Sequence, residues 1–274
     1  MKNTILLIVT ALLQTINICV NAQSLPTTEL EVNKNYIVVA TWNIGHFSRG
    51  SKMYSTITKD NYEQQLEAFR KIVYEDISPD LLCVNELSPI FGKDEAGMEQ
   101  SVATTLFDGF EIKEIHEQLE YSCNALFSNL PIKHARKNSF KCSRPYLNEV
   151  PMAANYYYLS GEFKLNHEKI IIVCAHLIPK AENSELRSQQ MLELIEKYKK
   201  YDKVIMCGDW NTNNFAVFKN AGYTLVNDKQ FITYPVKSYF LDNIIVKGLK
   251  ISDAKAIETN LSDHYPLVCK IMLD

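Results

Sequence analysis

The sequence predicts an α/β protein whose sheets are protected by helices. Three observations carry that expectation. Apolar runs too short for helices and rich in β-branched residues recur along the chain, and two longer segments show helical periodicity. Strands and helices alternate at first, and strands then dominate the end, which argues against a pure parallel barrel. Composition agrees with a large core: the chain has 274 residues, 46% hydrophobic and 22% charged, unlike a disordered or low-complexity protein. No block recurs in the manner of a solenoid or propeller. The net charge is -3, so no basic excess advertises unspecific nucleic-acid binding. A negatively charged substrate held through a metal stays compatible with that balance.

Residues 1–22 read as a secretory signal: Lys2, then an apolar run from Ile5 to Leu13, then Val20-Asn21-Ala22 before a cleavage site. Gln14, Asn17 and Asn21 interrupt the run, against a membrane anchor, and the bulky Ile18 before Cys19 is against a lipoprotein signal. Residues 23–274, without a Pro/Gly/Ser-rich linker, are assigned to one domain, exported after cleavage near Ala22 and monomeric, with no stable protein partner. Export places the six remaining cysteines in an oxidising setting. Cys83, Cys174, Cys207 and Cys269 lie in apolar runs and read as small buried hydrophobes. One bridge is expected between Cys123 and Cys142, which sit in looser sequence.

Strands are expected at 36–42, 80–85, 110–115, 123–128, 153–163, 169–175, 203–208, 240–246, 251–257 and 265–272. Residues 61–76 place Leu66, Phe69, Ile72 and Val73 on one helical face, and residues 184–200 do likewise with Leu186, Met191, Leu194 and Tyr198, with Ser184 as a cap. A third helix is expected near 97–106. Residues 129–152 are polar, aperiodic and basic, and read as a solvated loop. In Tyr156-Tyr157-Tyr158, alternation sends Tyr156 and Tyr158 to one core face.

The chemistry gathers at the ends of these strands, where open sheets place ligand sites. Ile37 to Ala40 lead into Thr41-Trp42-Asn43; Leu81-Leu82-Cys83-Val84 into Asn85-Glu86; Ile170 to Ala175 into His176-Leu177; and Val204 to Cys207 into Gly208-Asp209-Trp210-Asn211. Leu241-Asp242-Asn243-Ile244 and Ser262-Asp263-His264 complete the set. Taken singly, each has an ordinary explanation: a turn residue, a paired carboxylate, a hydrogen-bonded core histidine. Together they are a different matter. Carboxylates brought together repel unless a hard divalent cation neutralises them, and oxygen donors without a Cys/His cage suit Mg²⁺ or Mn²⁺.

These motifs, in this order, resemble the endonuclease/exonuclease/phosphatase family, the superfamily of deoxyribonuclease I. Asn124-Ala125-Leu126-Phe127-Ser128-Asn129-Leu130-Pro131-Ile132 is similar to the family's central strand and turn, and Arg187 and Gln190 to its Arg-x-x-Gln. The resemblance implies a four-layer sandwich of two mixed β-sheets flanked by helices, and a Mg²⁺-dependent hydrolase of phosphate esters, with Mn²⁺ as a substitute. It implies metal contacts for Glu86, Asp263 and Asn43, with Asn43 and Asn211 holding the metal shell, phosphate or attacking water. It implies that Asp209 positions or deprotonates that water, and that Asp242 orients His264 beside the scissile phosphate. His176 matches a second histidine of the deoxyribonuclease and sphingomyelinase branches. Where some members carry an acid two positions after the first Asn, this chain has Gly45. The expected substrate is a phosphodiester, in nucleic acid or a lipid headgroup. The alternatives are a phosphomonoester of an inositol or sugar, and an inactive binding member of the fold.

Overall fold

The computed structural model describes residues 35–47, 57, 59–88, 90–93, 99–101, 105–119, 122–165 and 167–272. The expected signal segment, with Cys19, lies outside the described residues. Six strands form the first sheet: β1 (Tyr36–Asn43), β2 (Leu81–Leu87), β5 (Ile112–Leu119), β6 (Ser122–Ser128), β13 (Lys250–Ala256) and β14 (Leu267–Met272), in the order β13-β14-β1-β2-β6-β5. Six more form the second: β7 (Lys133–Ser139), β8 (Tyr157–Leu165), β9 (Glu168–His176), β10 (Lys203–Asp209), β11 (Thr224–Leu225) and β12 (Asp242–Lys247), in the order β11-β12-β10-β9-β8-β7. A short pair, β3 (Ile90–Lys93) and β4 (Glu99–Ser101), stands apart. Within the sheets β1/β2 and β9/β10 pair in parallel and the other neighbours antiparallel.

Side-chain alternation explains why the central strands are apolar throughout. On β1, Ile37 and Val39 enter a core between the two sheets, where they meet Tyr157, Ile172, Ile205 and Ile244. Their neighbours Ala40 and Trp42 face the opposite side, against Phe69 and Val73. A third cluster, on the outer face of the second sheet, packs Leu194 and Tyr198 against Val173, Met206 and Ile245. The result is helix, sheet, sheet, helix: the four-layer sandwich. Each fully buried Ile, Leu or Phe contributes about 1.5–3 kcal/mol, so these clusters supply the bulk of the drive to fold.

The helices follow their apolar faces. Helix α1 (Tyr62–Arg70) continues as a wider π-type turn through Lys71–Ile77, closed by Ser78 in the left-handed region at φ 48. Helix α2 spans Ser184–Tyr198, and a short helix α3 spans Ala216–Asn220. Ser184 is the first helical residue and not the cap; the cap position belongs to Asn183, whose amide donates to the Pro179 carbonyl at 2.9 Å.

Several expectations need correction. The basic stretch 129–152 contains β7, an edge strand with exposed charges and therefore no apolar alternation to betray it, followed by 3₁₀ turns at Lys141–Tyr146 and Pro151–Asn155. The strand expected from 153 begins at Tyr157. In place of a helix over 97–106, Glu99–Ser101 is a strand; 97–98 and 102–104 lie outside the described residues. No disulfide joins Cys123 and Cys142. Cys123 packs in the cluster outside the first sheet and Cys142 against clusters beyond the second, so the sandwich separates them. The tyrosines also divide differently. Tyr157 enters the inter-sheet core and Tyr158 the outer cluster, while Tyr156, which precedes the strand, packs edge-on against His176 with ring centroids 5.5 Å apart.

Candidate active site

Strand register assembles one edge of the sandwich. On the second sheet, Asp209 at the end of β10 pairs with His176 at the end of parallel β9, and with Asp242 at the start of antiparallel β12. Three chemistry-bearing residues thus lie side by side on adjacent strands. On the first sheet, Asn43 at the end of β1 pairs with Asn85 on β2. The β2–β6 ladder then shifts register between Val84 and Leu87, and Glu86 adopts φ 51, a bulged, left-handed residue turned out of the ladder into the cleft. Gly208 lets β10 and β9 approach: at φ 146, a Cβ there would lie 1.8 Å from the Ala175 carbonyl oxygen.

Asp209 is the hub. The Asn43 amide donates to its Oδ2 at 3.0 Å, the Asn211 backbone N–H donates to its Oδ1 at 2.8 Å, and its own backbone N–H donates to Asn85 Oδ1 at 2.9 Å. Its Oδ2 lies 3.7 Å from His176 Nε2 and 3.9 Å from His264 Nε2. His264 sits on the turn after Ser262, whose hydroxyl accepts the His264 backbone N–H at 3.1 Å and donates to the Asn43 carbonyl at 2.7 Å. His264 Nδ1 meets Asp242 Oδ2 at 2.7 Å in a buried pair, and the Tyr234 ring lies over the imidazole at 4.8 Å. Glu86 Oε1 is 3.8 Å from His176 Nε2, and its Oε2 is 3.1 Å from His46 Nε2.

These side chains open into a cleft of about 570 Å³. Glu86, Asp263, His176 and His264 line it, together with Lys180 and Arg187. Arg187 and Gln190 shape one side: the guanidinium donates to the carbonyls of Ile178 and Lys180 at 2.8 and 3.0 Å, and Gln190 accepts the Ile178 N–H at 3.2 Å. A small hairpin also lines it, in which Tyr234 and Tyr239 exchange backbone hydrogen bonds at 3.0 Å and carry Lys237 to the cleft.

The electrostatics follow from this crowding. Burial pushes the Glu86 carboxyl up, but the His46 hydrogen bond and the imidazoles of His176, His46 and His264 outweigh it and hold it at about 2. Burial would lower His264, yet Asp242, Asp209 and Asp263 carry it well above the ordinary histidine range, to about 10. Burial raises Asp242, against the pull of His264. Asp263 is raised by burial and by the neighbouring Glu86 and Asp209 carboxylates, with His264 opposing.

Acidic oxygens facing one another in a cleft fit a hard divalent cation, which would offset their repulsion. Glu86 and Asp263 line that cleft with half-buried carboxylates, as a ligand pair requires. Asn43 is placed differently: it is buried, and its amide is engaged by Asp209 and by the Gly45 N–H, which its Oδ1 accepts at 3.1 Å. Asp209, Asp242 and His264 form a buried cluster whose ligand atoms lie within 4.8 Å of one another. The eight residues singled out in the sequence therefore converge on one edge. Three others were given no role in the sequence reading. His46 follows Gly45 but belongs to no motif, Asn85 was overshadowed by Glu86, and Tyr234 lies in a loop without periodicity.

The fold is a sandwich of two mixed sheets with carboxylates and imidazoles gathered at the strand ends of one edge. The model of the endonuclease/exonuclease/phosphatase family matches residues 40–264, and the chain belongs to that family. Comparison with curated proteins gave no match. Among solved structures, the human Nocturnin catalytic domain with bound sulfate anion aligns with TM-score 0.64 and 16% identity, over 88% of this chain and 96% of that one. D. rerio TDP2 complexed with single strand DNA product aligns with TM-score 0.64 and 15% identity, over 87% and 99%. An endonuclease/exonuclease/phosphatase protein from Beutenbergia cavernae gives 0.63 and 14%, over 88% and 72%. At these identities the likeness is one of fold.

Proposed function

We propose that the protein is an exported, divalent-metal-dependent phosphodiesterase that uses water as its nucleophile. The observation that carries this reading is the placement of Asp209 between His176 and His264, beside Glu86, in the lining of an open cleft. Asp209, oriented by Asn43 and Asn211, accepts a proton from the attacking water. His264, held in one tautomer by Asp242, presents Nε2–H to a phosphate oxygen. His176 stands ready to protonate the departing oxygen. Glu86 and Asp263 would hold Mg²⁺ (or Mn²⁺), whose charge would offset the negative charge that grows in the transition state. Asn43 serves by fixing Asp209.

A diester is favoured because the His-Leu motif at 176–177 resembles diesterase branches, and TDP2 complexed with a DNA product supports nucleic acid as one source. A lipid headgroup is the other diester source. Lys180 and Lys237 in the cleft favour a second reading, a phosphomonoester whose extra charge they would meet. Hydrolysis of bis(p-nitrophenyl) phosphate against p-nitrophenyl phosphate, each with Mg²⁺ and with EDTA, separates the two. Silence on both, and on DNA, RNA, sphingomyelin and phosphoinositides, would overturn the enzymatic reading. Export is tested by sequencing the mature N-terminus, expected at Gln23.

A further inference from the structure

His46 stands at the candidate cation site without belonging to any recognised motif. Gly45, His46 and Phe47 are three successive left-handed residues, at φ 56, 56 and 57. Such a backbone costs roughly 1–2 kcal/mol at each residue other than glycine, and persists only where its surroundings impose it. Here both ends are pinned. The Ile44 N–H donates to the Asn85 carbonyl at 2.9 Å, and the Gly45 N–H to Asn43 Oδ1 at 3.1 Å. Beyond them the buried Phe47 ring packs edge-on against Phe69 at 5.1 Å. Among the described residues, the turn pairs the His46 imidazole with Glu86 Oε2, at 3.1 Å.

The two ring nitrogens differ, and the difference decides the role. Nδ1 is buried and has no hydrogen-bond partner among the described residues. If Nε2 held the cation directly, Nδ1 would have to carry the proton and bury an unsatisfied donor, whereas ligating histidines nearly always give that proton to an acceptor. If Nε2 carries the proton, the ring's one N–H is satisfied by Glu86 and Nδ1 is left as an acceptor, with no donor buried unpaired. Glu86 then has one oxygen, Oε2, engaged by His46, while Oε1 faces His176 across the cleft at 3.8 Å. We propose that His46 is a positioning residue for Glu86: its Nε2–H holds one carboxylate oxygen so that the other is preset for the cation. The inference rests on the metal-dependent reading of the cleft and adds to it a residue that sets affinity without touching the ion.

The test is Mn²⁺ binding to the full chain, by calorimetry and by electron spin-echo spectroscopy, which reports nitrogen bound to the ion. Removing such a supporting hydrogen bond weakens metal binding by about 10–100-fold. H46L, with H46A as the variant to use if H46L does not fold, is expected to show that loss with the native circular dichroism spectrum kept. H46Q, whose amide can donate to Glu86, is expected to recover most of the affinity. Wild-type affinity in H46L or H46A, with binding abolished in E86Q, would overturn the role of His46 and leave the metal site intact. A nitrogen coupling lost in H46Q would overturn it too, by making His46 a ligand. Absence of Mn²⁺ binding by the wild type would overturn both the inference and the reading beneath it.

Discussion

Asn85 and Asp209 belong to different sheets, yet the Asp209 backbone N–H donates to the Asn85 side-chain oxygen at 2.9 Å. The bond crosses the sandwich at the edge where the cleft opens. The same Asn85 amide donates to Asn124 Oδ1 at 2.8 Å, so a fully buried side chain ties β2, β6 and β10 together. Asn85→Ala leaves the Asp209 N–H and Asn124 Oδ1 without their partner. A loss of about 1–3 kcal/mol for each group stranded is expected in urea unfolding. Activity should fall along with it, because Asp209 loses a restraint. Wild-type stability in the variant would show that the link is dispensable.

Gly208 is a second structural lock. Its φ of 146 and the 1.8 Å approach of the Ala175 carbonyl to a would-be Cβ leave no room for a side chain. Backbone strain and overpacking each cost about 1–3 kcal/mol, so Gly208→Ala should lose several kcal/mol or fail to fold. A thermal midpoint within a degree or two of the wild type would contradict this.

Glu86→Gln keeps the shape and removes the charge. Loss of an electrostatic element of this kind costs about 10²–10³ in kcat. The measurement is turnover at saturating Mg²⁺, with circular dichroism to check the fold. Near-normal turnover would remove Glu86 from the metal site.

The pH dependence of stability in EDTA has two expected limbs. The folded-state pKa of His264 is raised to about 10, against an ordinary value of 6.5. Its stabilising charge is therefore fully present below pH 6.5 and fades as the pH climbs toward 10. Glu86 is depressed to about 2 from 4.5, so its contribution is present above pH 4.5 and is lost as the pH falls toward 2. H264Q should flatten the alkaline limb and E86Q the acid one in urea unfolding across pH. An alkaline limb unchanged in H264Q would refute the assignment of charge to that imidazole.

Most of the framework was legible because the central strands are buried on both faces. Such strands are continuous β-branched runs, and the polar residues that end them stand out: Asn43 after Trp42, His176 after Ala175, Asp209 after Gly208. The edges were not legible. Strand β7 has one partner and exposed charges, and β11 has only two residues, so neither carries a period to detect. The cysteine pairing failed for a related reason. Looseness of sequence around Cys123 and Cys142 says nothing about which side of a sandwich each one occupies.

By itself, the sequence determined the α/β class and the list of acids, amides and imidazoles at strand ends, because burial and strand termination act locally and leave their mark residue by residue; the ordered motifs carried the family resemblance, and that resemblance implied the sandwich. Only the tertiary structure decided how those groups are used. Asn43 grips Asp209, Asn85 joins two sheets, Tyr234 covers His264, and His46 meets Glu86. All four pairs join residues at least 30 positions apart in the chain, and His46 reaches Glu86 only through a left-handed turn and a bulge. A hydrogen bond depends on distances of a few tenths of an ångström, and those are set by packing across the whole fold.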